Sequence, residues 1–477
     1  MSINADELGV TEAVEHTLVP IPENARTSTV AHQFWIWMGA NIAPINWVLG
    51  ALGIYLGLSL WQTVGVLVIG NLIGMAVFGF FVLMGQQTAV SQMVLSRAAF
   101  GRRGAYLPAA LQGLLAIGWC AINTWIILDL VVALFDKIGI HGGDGLKITV
   151  AIVIMAIQVW LAAIGFRAIA RFERWTVPIT ILVLLAMTIV AWTSDTTNVD
   201  WGYAGAGLHG KALWSSLTTL MTAIGIGWGI TWFAYASDYS RFVSRSVSRR
   251  KLYLGSVLGQ FIPTVWLGIF GATLATVSQD IDPGQLVVNA FGGLAIPVLL
   301  LVLHGPIATN VLNIYSCGLC AQTLDWNIDR RRLSYGVGVL ATIFTIYLIL
   351  NGDFATNLDG WLAGLVTWVA PWGAIMLVYY YGIAKQQIDV NALFEPPGSP
   401  HVPDVIWEAI IPFLLGMVAT WMFEYGIPSY LQGPAAKHLG GIDLSWLAGA
   451  IVAGFLSYVA LSRRTAPATP ALGAESA

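Results

Sequence analysis

The sequence predicts an all-α polytopic membrane protein with twelve transmembrane helices, and three observations predict it. The first is composition: of 477 residues, 57% are hydrophobic and 10% charged, whereas a soluble domain carries about 25% charged residues. Apolar runs of 18 or more recur along nearly the whole chain. The second is where the basic residues fall. With the N-terminus placed inside, only Lys137, Lys147, Lys211 and Lys437 of the 22 Lys and Arg lie in outside segments, as the positive-inside rule requires. The third is a pair of interrupted spans, the first and the sixth.

The spans run 32–56, 61–85, 104–135, 146–168, 173–193, 212–236, 252–277, 294–320, 333–351, 358–383, 405–428 and 442–462. Residues 1–31 form an acidic, polar tail with no signal-peptide pattern, expected in the cytoplasm together with the tail 463–477. Segment 384–404 contains Pro396, Pro397 and Pro400, which cannot continue a helix, so it reads as a linker before a final pair, 405–462. The expected location is the plasma (inner) membrane.

Span 6 carries Gly225, Gly227 and Gly229 around Trp228. Each glycine weakens a helix by about 1 kcal/mol relative to alanine, and in lipid a loosened backbone survives only against protein or a water-filled cavity. The expectation is a helix broken at these glycines and facing a ligand; the alternative is close packing through small residues. Span 1 carries Gly39, Asn41 and Pro44 in mid-membrane, and proline cannot continue a helix. The two interruptions are five spans apart. An odd offset reverses the direction of the second copy, which points to an inverted repeat with a binding site between the broken helices.

Polar side chains cluster in two further spans. Trp119 and Asn123 share a face of span 3, with Asp129 nearer its outer end. In span 8, Pro306, Thr309, Asn310 and Asn313 share one face. Buried amides need partners, which a ligand or ion can supply. His304 is the titratable group in mid-membrane, either a proton relay or a bonded neutral imidazole. Cys120, Cys317 and Cys320 lie in apolar runs and read as small packing residues. Asp238 and Arg241 read as an ion-paired cap to span 6, and 97–104 as a basic inner loop. No cluster with catalytic or metal-ligand spacing occurs, which argues against an enzyme or a metal cofactor. Charged rings and filter loops are missing too, which argues against a channel. The expected partners are a small molecule and the lipid bilayer, and no nucleic acid.

Three segments carry a family resemblance: SQMVLSRAAFGRRGAYLP (91–108), YASDYSRF (235–242) and TNVLNIYSCGL (309–319). In this order they resemble the nucleobase–cation symporter-1 family of cytosine, purine, uracil, allantoin and hydantoin permeases, and look closest to its cytosine/purine branch. The resemblance implies a five-plus-five, leucine-transporter-like inverted repeat over 32–193 and 212–383. It implies secondary active import of a nucleobase by cation symport, with allantoin, a hydantoin, uracil or a vitamin-precursor pyrimidine as alternative cargo. The heterocycle would stack between Trp119 and Trp228, or Trp232, beside Gly227 and Gly229. Asn123 and Asn313, then Asn310, would read its edge, with Asn41 at the span 1 break. In sodium-coupled members the ion site maps to Gly39, Ile42, Gly305, Ala308 and Thr309. A hydroxyl is expected where Ala308 stands, so the coupling ion is Na+ or H+.

Overall fold

The computed structural model describes residues 19–465 except 165, 194–196, 279–282, 292–294, 297–298, 300–303, 327, 329 and 352–353. The side chains of His304 and Ala308 lie outside the described residues, as do 1–18 and 466–477. The described secondary structure is helical, and eight helices are long and apolar enough to cross a membrane. Shorter apolar helices, Ile45–Tyr55, Val177–Thr193 and Trp407–Phe423, supplement them.

Span 1 is two helices, α1 (Val30–Asn41) and α2 (Ile45–Tyr55). Ile42 leaves helical geometry at φ −82°, ψ 74°, two residues before Pro44. The break leaves main-chain carbonyls to satisfy, and local amides do so. Asn41 Nδ2 donates to the Trp37 carbonyl at 2.8 Å, and Asn46 Nδ2 donates to the Asn41 carbonyl. In an unbroken helix the Asn41 carbonyl would accept from an N–H four residues on. The long helices α3 (Leu60–Thr88), α5 (Tyr106–Lys137), α6 (Asp144–Ile164) and α7 (Phe166–Thr193) complete the first half. Between α3 and α5 lies α4 (Gln92–Phe100), buried along its whole length. The basic loop expected there is therefore partly a helix.

Span 6 departs from expectation. It runs as α8 (Gly210–Leu220), a π-helical stretch Met221–Ile226, α9 (Gly227–Thr231), a 3-10 turn Trp232–Ala234 and α10 (Ala236–Ser240). The irregularities flank the Gly-Trp-Gly segment, which is itself helical. The glycines serve close packing instead. A Cβ on Gly229 would sit 2.6 Å from the Gly74 carbonyl carbon of α3. A Cβ on Gly227 would sit 2.1 Å from the Thr222 carbonyl oxygen, inside the π turn.

The second half continues with α11 (Arg249–Ser278), a short α12 (Pro283–Phe291) that the sequence did not suggest, α13 (His304–Thr323), α14 (Arg330–Asn351) and α15 (Phe354–Leu377). The last elements are α16 (Trp407–Phe423), α17 (Pro434–His438) and α18 (Ser445–Thr465). Helices α13 and α5 pack together, as do α1 and α11, so the interrupted span 1 and the amide-bearing α13 meet near the centre.

At the basic end, a latch joins separate elements. Asp325, just past α13, pairs with Arg97 of α4 at 3.5 Å and with Arg102 at 2.7 Å, and accepts from the Tyr106 hydroxyl. The same loop is held by the 384–404 segment: the carbonyls of Pro403 and Asp404 accept from the N–H groups of Arg102, Arg103 and Gly104. Asp238 accepts from the Gln92 N–H at 2.9 Å and from Ser316 at 3.0 Å. It therefore caps α4 and ties it to α13, while Arg241 reaches the Tyr315 hydroxyl at 3.0 Å.

Two predictions follow from these contacts. Gly229→Ala should destabilise the purified protein by about 1–3 kcal/mol through overpacking, read as a lower melting temperature. Gly364→Ala, where an added Cβ meets nothing within 4 Å, should melt no lower than the parent, since alanine is the better helix former. The second concerns Asp325. Burial pushes its carboxyl up, but the Arg102 and Tyr106 hydrogen bonds and the charges of Arg102 and Arg97 outweigh that and hold it below the ordinary value. A carboxyl lowered in the folded state stabilises fully above its unfolded pKa of about 3.9 and loses that contribution as pH falls through the folded value. Asp325→Asn should therefore melt below the parent at pH 6, and the gap should close at acidic pH below about 4.

Candidate functional site

Helix α5 brings Trp119, Asn123 and Thr124 to the centre, α13 brings Asn310 and Asn313, and span 6 brings Trp228, Trp232 and Tyr235; all eight are buried. The Trp119 and Trp228 rings touch directly, with centroids 5.3 Å apart and planes at 88°. Trp228 and Trp232 meet at 6.2 Å and 86°. Edge-to-face contact is a favoured geometry for indoles. It also means that the planar slot expected between Trp119 and Trp228 is closed by the rings themselves in this arrangement.

Asn41 fixes the Trp228 ring. Its Oδ1 accepts from Trp228 Nε1 at 2.9 Å and from Thr264 of α11 at 3.2 Å. With its Nδ2 on the Trp37 carbonyl, the side chain is engaged at both ends. It joins the span 1 break to span 6 rather than standing free toward a guest.

The amides form a chain. Tyr235 donates to Asn313 Oδ1 at 3.1 Å, Asn313 Nδ2 donates to Asn310 Oδ1 at 3.3 Å, and Asn123 Nδ2 donates to the same oxygen at 3.0 Å. Asn310 Nδ2 donates to the Cys120 carbonyl and to Gln158 Oε1 of α6, each at 3.0 Å. Four polar atoms of this amide chain and its indoles have no hydrogen-bond partner among the described residues: Trp119 Nε1, Trp232 Nε1, Asn123 Oδ1 and Gln158 Nε2. Buried polar groups are otherwise almost always paired, so these are the atoms with capacity for a guest.

Tyr235 and Gln158 were missed by sequence reasoning. Gln158 could have been found, because it is the lone amide in the apolar run Ala151–Ile164, and polar residues in such runs are expensive and placed for a reason.

Of the expected ion-site residues, Ile42, Gly305 and Thr309 come together. Thr309 Oγ1 donates to the Gly305 carbonyl at 3.1 Å and lies 3.4 Å from the Ala40 carbonyl. A Cβ on Gly305 would be 2.6 Å from the Ile42 carbonyl oxygen, so glycine lets α13 approach the frayed end of α1. Gly39 faces Val177 of α7; its neighbour Ala40 supplies the carbonyl nearest Thr309. The three cysteines are free and buried. The described residues contain no group of three or more His, Cys, Asp or Glu able to hold a metal ion.

Residues 20–449 match the family described as permeases for cytosine/purines, uracil, thiamine and allantoin. The chain belongs to this family. The permease is 27% identical over 459 residues to YxlA of Bacillus subtilis, which carries the name "Putative purine-cytosine permease", covering 94% of this chain and 96% of that one. It is 26% identical over 489 residues to the allantoin permease of the same bacterium, covering 95% and 94%. Its fold is similar to that of Mhp1, a nucleobase-cation-symport-1 family transporter solved in a closed conformation with bromovinylhydantoin bound. The TM-score is 0.74 at 18% identity, covering 93% and 94% of the chains. A Na+-coupled sialic acid symporter shares the fold at a TM-score of 0.58 and 14% identity, covering 96% and 95%. The permease is thus a multi-pass transporter with the inverted-repeat fold, its first span broken and its sixth irregular on either side of the Gly-Trp-Gly segment, and not an enzyme.

The Asn41–Trp228 bond yields a test independent of substrate. In a double-mutant cycle on thermal stability, Asn41→Ala and Trp228→Phe should be non-additive by about 1 kcal/mol, since each removes the same hydrogen bond. Additive losses would mean that the bond contributes nothing in solution.

Proposed function

We propose that the permease imports a nucleobase of the cytosine or purine type by cation symport. Alternating access would rock one repeat against the other about the central site. The observation that carries this reading is the unpartnered acceptor of Asn123 beside the indoles of Trp119 and Trp228, between two helices interrupted near the same place. Indole faces suit stacking on a flat ring, and an amide edge suits a heterocycle with ring N–H and carbonyl groups. The names of the relatives, purine-cytosine permease and allantoin permease, are consistent with it. In this reading Trp119 and Trp228 part to admit the base, Trp232 and Tyr235 close the wall, and Asn310 and Asn313 support Asn123.

The coupling ion we favour is Na+, held between Thr309 and the carbonyls of Ala40, Ile42 and Gly305, because hard oxygens at a helix break suit an alkali cation. A specific observation supports H+ as the second reading. Asp359, Glu424 and Asp443 are buried together around the 424–427 turn, whose Tyr425 and Ile427 N–H groups bond Asp443 and Asp359. None of the three has an ion pair among the described residues. The clustering of basic residues in the loops of one side supports placing both termini in the cytoplasm.

The experiment is uptake by proteoliposomes. Labelled cytosine, adenine, hypoxanthine, uracil and allantoin are compared with and without a sodium gradient at fixed pH, then with a proton uncoupler. At least one base should accumulate, and Trp119→Ala or Trp228→Ala should cut its uptake more than tenfold, with the protein still in the membrane. Indifference to both sodium and the uncoupler would refute symport.

A further inference from the structure

We infer that Gln158, on α6 outside the ring of ligand-facing side chains, is a positioning residue. It sets the hydrogen-bonding sense of the site, so that the site presents an acceptor and selects a base bearing an N–H at that place. This deepens the proposed reading and rests on it.

The argument starts from a main-chain carbonyl, which can only accept. Asn310 lies 3.0 Å from the Cys120 carbonyl, so the Asn310 group facing it must be the NH2. Gln158 enforces the same choice from a second helix. Its Oε1 lies 3.0 Å from Asn310 Nδ2 and 2.9 Å from the Thr124 hydroxyl. Turning the Asn310 amide over would set its oxygen against both the Cys120 carbonyl and Gln158 Oε1, with no donor between. With the nitrogen fixed outward, Asn310 Oδ1 points back and accepts from Asn123 Nδ2 at 3.0 Å. That contact in turn fixes Asn123, leaving its Oδ1 as the atom without a partner. Asn313 Oδ1 already accepts from Tyr235, whereas Asn123 Oδ1 accepts from no described residue.

The polarity at Asn123 is therefore imposed through three links, and the outermost is fully buried Gln158. A ligand meeting Asn123 Oδ1 with N–H gains a bond. One meeting it with a ring nitrogen lone pair, a carbonyl or a methyl leaves the acceptor buried and unpaired. Sites built this way reject analogues lacking the matching group far more strongly than apolar pockets do. The alternative is that Gln158 only joins α6 to α13, as interhelical amides do in membranes.

The test uses proteoliposomes of the full chain, with the best-transported of labelled cytosine, hypoxanthine and uracil as probe. Its singly ring-N-methylated derivatives serve as competitors. In the parent, methylation at one nitrogen should weaken competition about tenfold or more relative to the unmethylated base. Asn123→Ala should bring that ratio close to one. Gln158→Met, which removes one of the two acceptors that orient Asn310 at 3.0 Å and leaves the Cys120 carbonyl, should lower the ratio severalfold. Gln158→Glu, which keeps an oxygen at that place, should restore it. A ratio unchanged in Gln158→Met, or base and methylated competitor weakened equally, reduces Gln158 to a structural tie and overturns the inference. Should Gln158→Met not reach the membrane, Thr124→Val removes the hydroxyl shared between Gln158 Oε1 at 2.9 Å and the Cys120 carbonyl at 2.7 Å. It must then lower the ratio, and no change overturns the inference equally. If every methylated competitor matches its parent while the bases still compete, the donor-selecting site falls and nucleobase transport stands. If no base is transported or competes, the functional reading itself has failed.

Discussion

Hydrocarbon offers no partner to a main-chain N–H or carbonyl, so a membrane helix can be interrupted only where protein satisfies what the interruption exposes. Everything at the centre of this permease depends on how that demand is met at Asn41 and Pro44. The Trp37 and Asn41 carbonyls receive amide N–H groups from Asn41 and Asn46. The remaining oxygen of Asn41 then reaches across to Trp228 and Thr264. The Asn46 amide thus covers the carbonyl that the break exposes, while the Asn41 side chain orients an indole and connects spans 1, 6 and 7. The Ala40 and Ile42 carbonyls are left beside Thr309 and Gly305, where the frayed end of α1 meets α13.

Span 6 meets the same demand differently. It does not open at its glycines but widens into a π turn before them and tightens into a 3-10 turn after them. Nearly every main-chain group keeps a partner within such a segment, while side chains on either side rotate out of simple helical register. Trp228, Trp232 and Tyr235 keep the i, i+4, i+7 spacing of one helix face and gather around one centre.

The spans, the break in helix 1 and the residue types at the centre were legible in the sequence, because apolar runs, proline and buried amides act locally or by composition. Trp119, Asn123, Asn310 and Asn313 do meet, as helical spacing on α5 and α13 allows. What the sequence could not carry were pairings across long separations: Asn41 with Trp228, Asn123 with Asn310, Gln92 with Asp238. Helix α4 escaped notice because Arg97, with Arg102 and Arg103 just beyond, resembles loop charge until Leu393, Thr323 and Asp325 are seen around it. The glycines of span 6 were assigned the wrong task, since a Gly-rich stretch reads the same whether it opens a helix or admits a neighbour. Only the 2.6 Å approach to Gly74 separates the two.

That approach has a mechanical consequence. Two backbones meshed without intervening side chains have no soft layer over which to slip, because a shift of even one atom's width drives main chain into main chain. The segments around Gly74 and Gly229 must therefore travel as a single lever. In the proposed transport cycle, the displacement would be taken up along seams lined with longer, adaptable groups, such as the facing surfaces of α5 and α13 against span 6.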